Sequence, residues 1–120
     1  MATLTVADVV EAGVTYTLAA AGGSGDLFAN DNDNRTFLAV ANASGSSITV
    51  TITAQDTTET IPGFGTVTKS NGGGSVANGA TKLFGPFPAA AYNNSSGQVA
   101  VTYSATTSVT VAAFKVARVA

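Results

Sequence analysis

Two pairs of closely spaced carboxylates are the residues of this chain best suited to chemistry by type and spacing. They are Asp31 with Asp33 and Asp56 with Glu59. Paired carboxyl groups act as general acid and base when one of them has a raised pKa. Both pairs lie among polar, turn-forming residues, where the sequence gives no reason for a raised pKa. The chain has no His and no Cys, which excludes the common Ser-His-Asp, Cys-His and His-based zinc sites. We therefore expect no catalytic residues and no enzyme activity.

Three further stretches have the composition of ligand-binding loops. "DNDN", residues 31–34, is similar to the start of a calcium loop, since hard cations prefer several oxygen ligands close in sequence. Arg35 occupies the third ligand position, and the required glycine and terminal glutamate do not follow. "GGSGD" and "NGGGS" lack the helix start and the Gly-Lys-Ser/Thr element of a phosphate-binding loop. We interpret these stretches as solvated turns and flexible connections, and expect no metal and no cofactor.

Composition indicates an all-β protein that carries little charge. Thr and Val are abundant while typical helix formers are scarce, which favours strands. A chain of 120 residues suits a single domain, residues 1–120. Charged residues make up 10% and the formal net charge is -2, so there is no basic field to attract nucleic acid. The same low charge protects a monomer only weakly against association, which favours an assembled state.

The first 21 residues do not have the pattern of a secretory signal. They contain no basic segment and are interrupted by Asp8 and Glu11. No apolar run approaches the roughly 20 residues of a membrane span. The chain has no cysteine, so its stability must come from packing rather than from disulfides. We expect a protein made in the cytoplasm that has no membrane partner.

Alternation of apolar and polar residues predicts short strands along most of the chain. "TLTVADVV" and "VTYTL" alternate in this way, and "TTETI" is a candidate for a further short strand. Residues 19–34 are dense in Gly, Asn and Asp and predict a long surface loop, and residues 71–74 predict a flexible tip between two short strands. Some eight short strands favour an antiparallel β-sandwich, with the jelly roll as one form of it.

The segments on either side of "ASGS", residues 43–46, predict a β-hairpin. A five-residue connection would pair large apolar residues on one face, Val40 with Val50 and Leu38 with Ile52. A four-residue loop would turn Phe37 inward instead, because a slip of one residue exchanges the two faces. We favour the first register, since Leu38 and Val40 suit a buried layer better than alanines do. Phe37 then lies on the outer face.

A second hairpin is predicted around "SATTS", residues 104–108. Three cross-strand pairs keep every apolar residue on one face: Tyr103 with Val109, Val101 with Val111 and Val99 with Ala113. The alternation shifts phase at Phe114 and Val116. This shift predicts either a bulge or a strand that extends beyond its partner.

Prolines and aromatic residues are concentrated in "LFGPFPAAAYN", residues 83–93. Pro86 and Pro88 lack the backbone donor that a central strand needs, so the strand ending near Phe84 should leave its sheet or form the edge. Phe84 is then either covered by a loop of the same chain or part of an interface with a partner. The candidate interface residues are Phe37, Phe84, Pro86, Phe87, Pro88 and Tyr92.

The chain resembles a family of small structural proteins of tailed bacteriophages, the capsid decoration or cement proteins. The likeness is carried by "GPFP", "YN", "VTYS" and "TSVTVAA", and it extends over about residues 35–116. It implies a non-enzymatic protein on the outer surface of the virion, which binds the major capsid protein and itself as a dimer or trimer. Many copies on a symmetric shell would let modest contacts sum. The alternatives are another virion component, such as a head-fibre or tail protein, and a carbohydrate-binding β-sandwich.

Overall fold

The computed structural model describes residues 2–30 and 35–116. Within those residues the chain forms twelve strands and one short helix, so the predicted all-β class is confirmed and eight strands was too few. In chain order the elements are β1 (Ala2–Leu4), β2 (Val6–Val9), β3 (Ala19–Ala20), β4 (Asp26–Ala29), β5 (Thr36–Asn42), β6 (Ile48–Ile52), β7 (Thr58–Ile61), β8 (Gly65–Thr68), β9 (Gly72–Val76), β10 (Thr81–Phe84), α1 (Ala89–Tyr92), β11 (Gln98–Tyr103) and β12 (Val109–Val116).

Ten of these strands form two five-stranded sheets. Sheet I has the order β1-β4-β11-β6-β9, and sheet II has the order β10-β5-β12-β2 with β3 also paired to β12. β1 runs parallel to β4 and β2 runs parallel to β12, so both sheets are mixed. Most strand pairs are antiparallel, as predicted, while these two parallel pairs depart from a jelly roll. β7 and β8 form a separate two-stranded antiparallel sheet.

The two sheets share one hydrophobic cluster. Sheet I contributes Phe28, Val50 and Val101 among others, and sheet II contributes Leu38 and Val111. Each fully buried side chain of this size stabilises the fold by about 1.5 to 3 kcal/mol. A single apolar layer shared by two sheets supports the β-sandwich arrangement.

The segments on either side of residues 43–47 do not form a hairpin, because β5 lies in sheet II and β6 in sheet I. The predicted pairing of Val40 with Val50 was therefore wrong. The predicted inward face was right, since Leu38 and Val40 are both fully buried. In a hairpin the two apolar faces lie side by side, whereas in this arch they face each other across the core. The alternation of residues is the same in both.

The second predicted hairpin is also an arch between the sheets. β11 pairs with β4 and β6 in sheet I, and β12 pairs with β5 in sheet II. The two arches run side by side: the Ala43 amide donates to the Ser108 carbonyl at 3.0 Å and the Ser104 amide to the Thr49 carbonyl at 2.9 Å. The two connections therefore support each other at one end of the molecule.

Asn42 holds the first arch together from inside. Its side-chain amide donates to the carbonyls of Ser46 at 2.8 Å and Val76 at 2.9 Å, and its side-chain oxygen accepts from the Ser44 amide at 3.0 Å. Asn42 is almost fully buried, so these bonds replace its contacts with water.

The N-terminal segment divides between the sheets at Thr5. β1 before it joins sheet I and β2 after it joins sheet II. Leu4 and Val6 both pack against the core, as their alternation indicates. The predicted strand at "VTYTL" is absent from the described structure, where only Ala19–Ala20 forms a short strand. Its apolar residues are exposed: Val14, Tyr16 and Leu18.

Two stretches that were predicted to be irregular are strands. β4 lies within the predicted loop 19–34, and its Phe28 is fully buried. The glycine run of residues 72–74 belongs to β9 and pairs with β6. Gly73 has a φ of 106°, and a Cβ there would overlap the Val50 backbone of β6. A Cβ at Gly72 would also come within 2.7 Å of the Tyr92 hydroxyl, so neighbouring residues leave little room for a side chain at residues 72 and 73.

The phase shift at Phe114 is not a bulge. β12 pairs with β5 without interruption, and Phe114 lies directly opposite Phe37. Val109, Val111 and Ala113 face inward, so Phe114 faces outward. Phe114 interrupts the alternation of apolar and polar residues because the outer face of β12 also carries apolar side chains at this end.

Candidate functional site

The structure brings one of the two predicted carboxylate pairs together. Asp56 lies just before β7 and Glu59 within it, and hydrogen bonding to Asp56 and the charge of Asp56 raise the pKa of the Glu59 carboxyl. The expectation that nothing would raise a pKa here was therefore wrong. The pair is open to solvent, and no third carboxylate, His or Cys joins it among residues 2–30 and 35–116. Asp31 and Asp33, with the "DNDN" stretch, lie outside the described residues.

The "GGSGD" stretch is a turn closed by its own acidic residue. The Gly22 amide donates to Oδ2 of Asp26 at 3.0 Å, and the Gly25 amide donates to the Gly22 carbonyl at 2.9 Å. A carboxylate of the chain thus occupies the amide that a bound phosphate would need.

Among the helices of the described part, none is long and apolar enough to cross a membrane.

Each residue of "GPFP" has a defined structural role. Gly85 has a φ of 130°, and a Cβ there would come within 2.9 Å of the Phe37 ring. The Gly85-Pro86 peptide is cis. Phe87 packs between the rings of Phe28, at 5.5 Å, and Tyr92, at 5.9 Å. The Pro88 carbonyl accepts from the amides of the first turn of α1. The strand therefore ends at Phe84 on the edge of sheet II, as predicted.

Two asparagines fix this stretch to the end of β4. The side-chain amide of Asn30 donates to the Phe87 carbonyl at 3.0 Å and to Oδ1 of Asn93 at 2.7 Å. Asn93 in turn donates to the Asn30 carbonyl at 2.7 Å. The Asn of the "YN" motif therefore holds α1 in place, and this is a structural role.

Three of the six candidate interface residues are buried in the core of the chain: Phe84, Phe87 and Tyr92. Of the two alternatives for Phe84, cover by its own chain is the one observed, and the burial of Phe87 and Tyr92 leaves neither side chain exposed for a partner in this structure. In a continuous extended strand, Phe84 and Phe87 would point to opposite sides. The chain turns at Gly85 instead, and both rings enter the same hydrophobic cluster. Pro86 and Pro88 are exposed, and Leu83 is 55% exposed on the edge strand.

Phe37, the remaining candidate, lies on the outer face of sheet II as predicted. Its ring stacks on that of Phe114, with 6.0 Å between the ring centroids, and the ring of Tyr16 packs on Phe114 at 5.7 Å. Leu83 lies on the same side, since it pairs with Ala39, which has the same orientation as Phe37. We call the surface formed by Tyr16, Phe37, Leu83 and Phe114 the aromatic face.

The aromatic face continues into the exposed N-terminal segment. Residues 15–17 line a small cavity with Ala112 and Ala113 of β12, so this segment lies across the outer side of the sheet. Tyr16 is 48% exposed, and Val14 and Leu18 are exposed beside it in sequence. Exposed apolar surface of this kind marks contact sites on proteins.

Sequence reasoning missed two features of this region. Phe114 was interpreted as a break in the pattern, although its apolar neighbour Val116 already indicated a strand with a second apolar side. Asp26 was assigned to a loop, although it directly precedes the apolar pair Leu27 and Phe28. Asp26 is fully buried and accepts a hydrogen bond from Tyr103.

Comparison with known proteins returned no match, whether to a family model, to a curated protein or to a solved structure. The resemblance to capsid decoration proteins therefore depends on the quoted motifs alone.

Proposed function

We propose that this chain is a non-enzymatic structural protein of a tailed-bacteriophage virion. It binds the outer surface of the capsid through the major capsid protein and stabilises the assembled shell. The protein is made in the host cytoplasm and remains on the capsid exterior.

The observation that carries this proposal is the aromatic face. Phe37, Leu83 and Phe114 are held on one side of sheet II by β5, β10 and β12, and Tyr16 packs on Phe114 from the irregular segment before β3. Tyr16 and Leu83 are exposed, and Phe37 and Phe114 are half-buried. Lys115 follows Phe114 on β12, and its Nζ lies 3.9 Å from Oδ1 of Asp8. Because this cation is close to a carboxylate, the apolar side chains are the main feature of the face. A rigid apolar face suits repeated docking on a symmetric lattice.

The motifs of the resemblance support the same proposal in a different way. "GPFP" directly follows the edge strand of sheet II and places the Gly85 backbone against Phe37, and the Asn of "YN" fixes α1 to the end of β4. They therefore shape the side of the aromatic face without lying in it. Similarity in such residues indicates a similar scaffold, and this scaffold supports the contact surface.

The proposal is tested by adding purified protein to capsids of its own phage that lack it. We expect saturable binding and a higher temperature of capsid disruption. Leu83→Asp places a charge in the aromatic face and should abolish binding while the protein remains folded. Phe64→Ser, which alters an exposed apolar residue outside sheet II, should still saturate the capsid. Failure of the wild-type protein to bind any mature capsid of its own phage would overturn the proposal.

A further inference from the structure

The β7–β8 hairpin, residues 58–68, projects from the body, and we call it the arm. Every residue of its two strands is exposed. Its threonines pair on one face, Thr58 with Thr68 and Thr60 with Thr66, while Ile61 and Val67 lie on the opposite face. A two-stranded hairpin is at best marginally stable alone in water, so an arm of this kind gains from a partner.

Phe64 at the tip of the arm is the most exposed of the large apolar residues in the described part of the chain. It is 86% exposed. The tip is a turn over residues 61–64 in which the Phe64 amide donates to the Ile61 carbonyl at 2.9 Å, and Gly63 has a φ of 81°. Pro62 and Gly63 are the residues that such a turn prefers. The turn therefore holds the phenyl ring out into solvent in a defined direction.

A cleft lies at the base of the arm. Its lining is mostly apolar and includes Val67 of the arm with Ala90 and Ala91 of α1, and its rim carries Glu59 and Lys69. The cleft has a volume of about 190 Å³. A cavity of about 150 Å³ lined by apolar side chains accommodates benzene, so this cleft admits a phenyl ring.

We propose that Phe64 of one copy of this chain fills the cleft of a second copy, and that the second copy returns the same contact. Val67 lies both in the cleft and on the arm face that carries Ile61, so the cleft adjoins that face, which also carries Glu59 opposite Val67. Two arms packed antiparallel on this face bring each tip to the base of the other. Such a reciprocal contact is the isologous interface of a two-fold dimer.

The chain cannot make this contact with itself. Phe64 and Val67 are three residues apart on one hairpin, so the tip and the cleft are separated by about 10 Å of rigid strand. The occupant must therefore come from another molecule. Phe64 of a second copy has the size, the exposure and the position that the cleft requires.

The chain exposes more surface than a compact monomer of its mass. The chain exposes 6623 Å², which is roughly 700 Å² more than the about 5900 Å² expected of a compact monomer of 11.8 kDa. The radius of gyration of 15.2 Å likewise exceeds the about 13.6 Å expected. The fully exposed strands of the arm contribute to this extra surface, and a second copy packed on the arm would cover part of it.

The first test measures the dissociation constant by sedimentation equilibrium of the full chain. We expect a dimer for the wild-type protein. Phe64→Ser removes the anchor and Ala90→Phe fills the cleft from within, and each should raise the dissociation constant by about 30-fold or more, as truncation of a central aromatic anchor does. Leu83→Ser, which likewise removes an exposed apolar side chain but lies in sheet II, should leave the dissociation constant unchanged. Circular dichroism like that of the wild-type protein, with a cooperative thermal transition at concentrations where both proteins are monomeric, would show that the monomers remain folded.

A monomer at all concentrations, a trimer or larger ring, or a dimer that Phe64→Ser leaves intact would overturn the proposal. This outcome is separate from capsid binding, which Leu83→Asp tests on another surface.

The second test uses the absence of cysteine from the chain. Pro62→Cys lies beside Phe64 at the tip, and Ala90→Cys lies in the cleft. Oxidation of a mixture of the two single variants should give a disulfide-linked dimer that contains one chain of each. A Pro62→Cys dimer with itself would mean that the tips meet each other, and it would contradict the reciprocal arrangement. Absence of the mixed dimer would contradict it as well.

Discussion

The phenol of Tyr103 donates a hydrogen bond of 2.8 Å to Oδ2 of Asp26, a carboxylate with no exposed surface. The same oxygen accepts the Gly22 amide at 3.0 Å. The bond joins two residues 77 positions apart and connects the turn before β4 to the end of β11. A buried carboxylate is expensive unless it is hydrogen-bonded, so this pair fixes the local structure at one end of sheet I.

Tyr103→Phe should destabilise the fold by about 1 to 3 kcal/mol, because it leaves a buried charged acceptor with one partner fewer. The measurement is urea unfolding followed by circular dichroism. Tyr16→Phe is the matched control, since Tyr16 lies 48% exposed on the aromatic face, and its effect should stay within about 0.5 kcal/mol. Equal stability of the two variants would show that the bond to Asp26 contributes nothing.

The stability of the protein should fall at alkaline pH because of Tyr103. Burial, the hydrogen bond to Asp26 and the charge of Asp26 raise the pKa of Tyr103 in the folded state. The unfolded state loses this proton at about pH 10 and the folded state keeps it, so the free energy of unfolding decreases as pH rises above about 10. Urea unfolding at several alkaline pH values should show this decrease in the wild-type protein and a weaker one in Tyr103→Phe. A similar decrease in both proteins would assign the effect to other groups.

Phe84 and its neighbour Leu83 should respond oppositely to substitution by serine. Phe84 is buried in the core and Leu83 is 55% exposed. Phe84→Ser should destabilise the monomer by about 3 to 5 kcal/mol, whereas Leu83→Ser should change stability by less than about 0.5 kcal/mol. Thermal unfolding measures both. A Phe84→Ser protein that is as stable as wild type and fails only to assemble would restore Phe84 as an interface residue.

The residues that face the core could be predicted from the sequence, but the sheet that each strand joins could not. Leu38 and Val40 face inward as their alternation indicates. Alternation specifies only which side of a strand faces the core, so the same pattern of residues is expected for a hairpin and for an arch. The arches are specified instead by contacts distant in sequence, such as the bond from Asn42 to the Val76 carbonyl.

Engineered disulfides can distinguish the arch from the hairpin in solution. Ala39 and Ala112 are direct partners between β5 and β12, so their Cα atoms should lie about 4.5 to 5.5 Å apart, within reach of a disulfide. A double variant with Ala39→Cys and Ala112→Cys should form an intramolecular disulfide, detectable by mass spectrometry. The hairpin would instead place Ala39 opposite Thr51. Cross-linking of Ala39→Cys with Thr51→Cys, in place of the first pair, would contradict the observed sheets.

The candidate site was predictable only in part, for a similar reason. The outward position of Phe37 followed from the register that buried Leu38 and Val40. The aromatic face also needs Tyr16 and Phe114, and their approach depends on how residues 15–17 cross the sheet. The sequence left open whether Phe84 is covered by its own chain or belongs to an interface, and both Phe84 and Phe87 lie in the hydrophobic cluster on either side of the turn at Gly85. No pattern of alternating residues describes such a turn.

The most direct measurement of the proposed role is a cryo-EM difference map between capsids of the parent phage with and without this protein. We predict density at repeated lattice positions over the whole head, oriented with the aromatic face of sheet II against the major capsid protein. Density at a single vertex or on the tail, or a lattice-bound protein whose aromatic face points to solvent, would contradict the account.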